Sequence, residues 1–166
     1  MTADLATVRT LLEHSDWSNR KLLEAALTLE EGELDRDMQI GPGSIRRILL
    51  HTYNGEAVWL KRWQGNAETK WPSESEKIGV RDLMERFERC WVERDGFLAG
   101  LMAQDAERVQ PYRDSKGTLY KATLGDMLLQ GILHSKHHQA QAVNALKRLG
   151  ATWPELDYMY RVRKTA

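Results

Sequence analysis

The sequence predicts an all-α protein: a four-helix bundle of up-down-down-up type, with a long irregular connection before the last helix. Three observations carry this. Four segments of about 20 to 28 residues repeat their apolar positions at threes and fours. The gaps between them hold the glycines, prolines and polar runs that end helices. No strong strand pattern lies between them, so the apolar helix stripes must bury themselves against one another.

The first helix is expected from about Leu5 to Leu29, with Leu5, Val8, Leu11, Leu12, Leu22, Leu23 and Ala26 on its stripe. Pro42 and Gly43 then break the chain. Ser44 can cap a second helix that runs to about Trp63, ahead of Gly65. The polar run GNAETKWPSESEK is read as a loop. The third helix, from about Val80 to Leu101, carries Leu83, Met84, Phe87, Cys90, Trp91, Phe97 and Leu98. In VQPYRDSKGTLYKAT, Tyr112, Leu119 and Tyr120 flank the turn signal Asp114-Ser115-Lys116-Gly117, which suits a short hairpin or an ordered loop. Such a connection is long for a bundle, and loops of that length often carry function. The fourth helix begins near Thr123 and stops at Gly150, with Lys147 and Arg148 in its last turn. The aromatic tail ATWPELDYMYRVRKTA should pack back on the body.

At 166 residues the chain suits one domain, residues 1–166, with a substantial core. Lys and Arg (24) balance Asp and Glu (24), so no overall field draws it to nucleic acid or an anionic membrane. Neither is expected as a partner. The single cysteine, Cys90, cannot form an internal disulfide, which suits a reducing cytoplasm. The charged N-terminus has no apolar core of a signal peptide, and no window approaches 18 apolar residues. A cytoplasmic protein is expected.

Chemistry concentrates in HSKHHQAQ, residues 134–141, which hold three of the five histidines. A helix turns about 100° per residue. On the fourth helix the apolar stripe then runs through 124, 127, 131, 134, 138, 142, 145 and 149. His134 and His138 lie on it as an i, i+4 pair, while His137 falls on the polar flank. Two imidazoles so placed can reach one divalent cation at about 2.0–2.1 Å. A third ligand must come from another helix. His51 qualifies, sharing a stripe with Ile48, Gly55 and Trp59, and Gly55 leaves room one turn on. An i, i+4 histidine pair alone more often serves packing and hydrogen bonding than metal binding. A third inward histidine weighs against that, since burying three imidazoles without a shared ligand is costly. His14, among Glu13, Ser15 and Asp16, reads as a surface residue. Glu56 reads first as a surface carboxylate near Lys61 and Arg62, and second as a support for a ligand or a general base. The six tryptophans read as core or rim. No catalytic residue is assigned.

These residues resemble the DinB/YfiT-like superfamily of metal-binding four-helix proteins over nearly the whole chain. The resemblance lies in LLEHSDWSNRKLLEAALTLEEGELDRD, in GSIRRILLHTYNGEAVWLKRWQG, and in YRDSKGTLYKATLGDMLLQGILHSKHHQAQAVNALKRLG ahead of a Pro…Asp-Tyr tail. One histidine before an E-x-x-W segment and a distant H-x-x-x-H before Q and L-x-x-L-G form the ordered set. The resemblance implies His51, His134 and His138 as ligands of a divalent metal, nickel or zinc. It also implies a homodimer, and in some members S-transfer or isomerisation with bacillithiol, mycothiol or glutathione. Two positions depart from the pattern. The frequent His-Arg-Gly-Gln is His138-Gln139-Ala140-Gln141 here, and Leu133 stands where many relatives carry asparagine. Both changes remove polar groups that could orient a substrate, while the ligands are kept.

Three neutral histidines leave a metal at least one open position, the pattern of catalytic sites. That position could take water and lower its pKa, or take a thiol as thiolate. The expected function is therefore a divalent-metal-dependent enzyme acting on a small molecule, either a thiol-dependent S-transferase or a hydrolase. The alternative is a non-catalytic metal-binding, stress-response dimer.

Overall fold

The computed structural model describes residues 4–165. Four long helices form the body: α1 (Leu5–Ala26), α3 (Ile45–Trp63), α4 (Val80–Ala99) and α5 (Leu124–Leu149). Short helices α2 (Glu31–Leu34) and α6 (Tyr158–Val162) lie before α3 and at the C-terminal end. Helix ends follow local chemistry. Asp4 accepts the amides of Ala6 and Thr7, Ser44 accepts that of Arg47, and Thr123 accepts that of Asp126. Gly150 ends α5 at φ 72°, in the left-handed region where glycine is unstrained.

Side-chain pairs between helices fix the directions. Arg20 meets Glu88, Asp16 meets Arg94 and Arg9 meets the Leu98 carbonyl, so α1 and α4 are antiparallel. Tyr53 packs on Phe87 and Lys61 binds Glu93, so α3 and α4 are parallel. His51 meets His138, and Trp63 donates to the Met127 carbonyl, so α3 and α5 are antiparallel. The topology is up-down-down-up, as expected. A parallel α3–α4 pair requires residues 64–79 to return along the bundle, and that return carries Trp71 and Glu74 to the α3–α5 seam.

The long connection before α5 contains a short hairpin, one of the two forms read from its turn signal. After a 3-10 turn (Ala103–Glu107), β1 (Val109–Arg113) pairs antiparallel with β2 (Leu119–Thr123), Tyr112 opposite Tyr120. Asp114 closes the turn by accepting the amides of Lys116 and Thr118. Gln110 ties the hairpin to α3 through the carbonyls of Arg62 and Trp63. Among the described residues no helix is long and apolar enough to cross a membrane.

The core has two apolar parts. One gathers Leu22, Leu23, Ile48, Leu49, Phe87 and Leu146; the other gathers Leu12, Trp63, Leu98, Met127 and Leu128. Between them lies a polar layer contributed by all four long helices. Arg94 makes a buried bidentate pair with Asp16, both bonds 2.7 Å. Gln139 donates to Ser15 and Asn19, and Glu56 joins Asn19, Trp91 and Ser135.

Candidate metal centre

The α3–α5 seam brings His51, His134 and His138 together. One nitrogen from each lies within 4.8 Å of the other two, close to the span of the ligands of one cation. Their ring centroids are 4.3 Å (His51–His138), 4.5 Å (His134–His138) and 5.2 Å (His51–His134) apart. His137 is exposed and bonds Gln141.

Gly55 makes this cluster sterically possible. A Cβ on residue 55 would stand 2.2 Å from His134 Cε1 and 2.4 Å from Nδ1. The ring of His134 therefore occupies the space that any other residue would fill. The sequence placed Gly55 beside His51 and the metal; its contact is with the facing helix.

Two of the rings are oriented by neighbours. His51 Nδ1 lies 2.6 Å from Glu74 Oε1, and His138 Nδ1 lies 2.7 Å from Gln141 Oε1. Each contact engages Nδ1 and leaves Nε2 available as a ligand atom, the arrangement by which outer carboxylates and amides fix metal-binding imidazoles. Glu74 also accepts from Trp71 Nε1, whose ring packs 4.8 Å from that of His51. His134 differs: its Nδ1 is shielded from solvent and has no hydrogen-bond partner among the described residues. Burial pushes the His134 pKa down to about 3, with the other histidines adding to the effect. Burial also lowers His138. His134 and His138 are therefore neutral at neutral pH, each with a lone pair free for a cation. An orphaned buried nitrogen, a glycine cradle and three converging imidazoles together fit a divalent metal.

Glu56 is not the surface carboxylate expected. Its carboxylate takes hydrogen bonds from Asn19 Nδ2 (2.8 Å), Ser135 Oγ (3.0 Å) and Trp91 Nε1 (2.8 Å). Burial, then repulsion from Asp16, raises its pKa to about 7, although the residue keeps some solvent contact. Lys61 pairs with Glu93, and Arg62 donates to the Arg113 carbonyl. The reason is coverage: α3 packs against α1, α4 and α5, so its buried arc is wider than a single stripe. His14 was likewise misplaced on the surface. It is 7% exposed, stacked on Trp17 and covered by Tyr158 of α6.

A cavity of about 470 Å³ opens beside the cluster, with His134, Trp59, Trp71, Tyr112, Arg62 and Gln130 among its walls. Trp59 and Trp71 thus serve as walls as well as core and rim. Glu74 and Trp71 were missed because their loop has no periodicity. Their placement follows from the parallel helix pair.

The chain belongs to the DinB family, whose model matches residues 1–165. A DinB-like protein from Bacillus cereus ATCC 10987 shares the fold at a TM-score of 0.73 and 15% identity, over 93% of this chain and 99% of that one. YfiT from Bacillus subtilis, described as a probable metal-dependent hydrolase with an unusual four-helix bundle topology, is also similar. It gives a TM-score of 0.67 and 16% identity, over 89% of each chain. No curated protein matches the sequence.

Proposed function

We propose that His51, His134 and His138 hold a divalent cation, nickel or zinc, and that the protein is a metal-dependent enzyme acting on a small molecule. The observation that carries this reading is three converging imidazoles, one of which, His134, lines a cavity. A cation held there would supply Lewis acidity toward a thiol or water taken up at its open position. The chain's own residues bind and orient. Glu74 and Gln141 hold two of the rings, and Trp71 shields the cluster.

In the first form of this reading, a low-molecular-weight thiol transfers its sulfur to an electrophilic carbon. A carbon–sulfur bond forms, the bond to the leaving group breaks, and the thiol proton is released. Cys90 cannot supply the sulfur: it is buried, and burial, then Glu56, pushes its thiol up to about 12. Hydrolysis is the second form, favoured by the description of YfiT. A homodimer in the cytoplasm completes the proposal; the exposed Trp153, Tyr158, Met159 and Tyr160 offer apolar surface for it.

The test is turnover of an electrophile panel by metal-loaded protein, with and without glutathione, bacillithiol or mycothiol. A rate that requires thiol supports transfer. A rate indifferent to thiol supports hydrolysis. No turnover, with stability lost on chelation, would leave a metal-stapled, non-catalytic protein.

A further inference from the structure

Three arginines in this chain are nearly wholly buried: Arg46 (4% exposed), Arg62 (5%) and Arg94 (4%). Two of them have acidic partners. Arg46 binds Asp35 and Glu31, and Arg94 binds Asp16 and Asp95. Arg62 has none within ion-pair distance among the described residues. Its Nη2 donates to the Arg113 carbonyl at 2.6 Å, and its Nε is shielded from solvent without a partner. A buried guanidinium without an ion-paired carboxylate is costly: burial lowers its pKa, and the longer-range pull of Tyr112 and Asp114 only partly offsets this.

Its position gives that cost a use. Arg62 lines the same cavity as His134. Its Cζ stacks 4.7 Å from the Trp59 ring and 5.4 Å from the Tyr112 ring. Those contacts hold the planar fork in place without neutralising it. Trp71 forms a further wall beside the histidine cluster.

We propose that this cavity binds a small monoanionic substrate, a carboxylate with a flat apolar body. The carboxylate pairs with Arg62, and the body lies among Trp59, Trp71 and Tyr112, its far end toward His134. The proposal rests on the reading of the histidine cluster as a catalytic metal centre for its meaning, although binding itself does not require the metal. Asp114 and Asp126 also line the cavity. Asp114 holds the hairpin turn and Asp126 accepts from Thr123, so both stay in place and repel multiply charged anions. A single negative charge is therefore preferred to a phosphate dianion.

The experiment uses the full chain kept metal-free with a chelator, so that loss of the metal reading leaves this test standing. Benzoate, benzamide and inorganic phosphate are titrated separately while the indole N–H resonances of Trp59 and Trp71 are followed by NMR. Benzoate should shift both resonances, with benzamide and phosphate binding at least about tenfold more weakly. Arg62→Met should weaken benzoate about tenfold or more and abolish its advantage over benzamide; Arg62→Lys should keep part of it. A purely structural Arg62, clamping the hairpin to α3, would lower the melting temperature on substitution and leave the carboxylate–amide difference untouched. Should Arg62→Met fail to fold, the wild-type comparison and Arg62→Lys still decide. Equal binding of benzoate and benzamide, no binding of benzoate, or a preference for phosphate would each overturn the proposal.

Discussion

Replacing Gly55 by alanine adds one methyl group and removes no ligand, which makes it a sharp probe of how the histidine cluster is built. The new Cβ would lie 2.2 Å from His134 Cε1, 2.4 Å from Nδ1 and 3.3 Å from Nε2. Carbon atoms in contact prefer about 3.5–4.0 Å, so the ring must retreat by more than an ångström. Metal–ligand distances tolerate only about 0.2 Å. His134 would leave the cluster, and two ligands would remain. Loss of an outer partner costs about 10–100-fold in affinity, so loss of a ligand should cost at least about a hundredfold. The fold should survive. Alanine gains roughly 0.5–1 kcal/mol over glycine within a helix, against about 1–3 kcal/mol for the crowded contact. The net change is at most about 2.5 kcal/mol, or roughly 10 °C in melting temperature for a chain of this size. Competition with a chromophoric chelator measures the affinity, and circular dichroism follows the melt. A Gly55→Ala protein that folds and keeps wild-type metal affinity would refute the reasoning.

Other perturbations separate the parts of the site. Glu74→Ala frees His51 Nδ1, and metal affinity in the same competition should fall about 10–100-fold with little change in melting, since Glu74 sits in a loop. The Glu56 carboxyl releases its proton near 4.5 in the unfolded chain and near 7 when folded. Between those values the unfolded state binds fewer protons, so stability falls as pH rises, by about 1–3 kcal/mol given the residue's remaining solvent contact. Urea denaturation from pH 4.5 to 8 should show this slope, and Glu56→Gln should flatten it; an unchanged slope would count against the buried assignment. Asp16→Ala strips Arg94 of its bidentate partner inside the bundle. The expected cost is about 3–5 kcal/mol, seen as a melting temperature roughly 6–20 °C lower, and a loss under about 1 kcal/mol would contradict it.

Much of this molecule was legible in its residues, because amphipathic helices declare both their length and their inward face. The limits of α1, α3, α4 and α5 lie within a few residues of those read from periodicity and caps. The same wheel set His134 and His138 inward and His137 outward, as found. The failures arise where packing between elements, and not the period of one helix, decides burial. A wheel assumes one buried stripe, whereas α3 is covered on several sides, and so Glu56 was assigned to water. His14 is buried by a C-terminal tail whose path no periodicity encodes. Trp71 and Glu74 come from a loop whose route is set by the parallel α3–α4 pair, a property of the whole topology. Arg62 looks like any helix-end cation until the hairpin closes over it.

The central claim is that three imidazoles from two helices hold one divalent cation. Elemental mass spectrometry of purified wild type, His138→Ala and His137→Ala proteins tests it most directly. Wild type should carry about one divalent ion per chain, retained in His137→Ala and lost in His138→Ala. No metal in any of the three after supplementation with nickel or zinc, or equal loss from both variants, would contradict it.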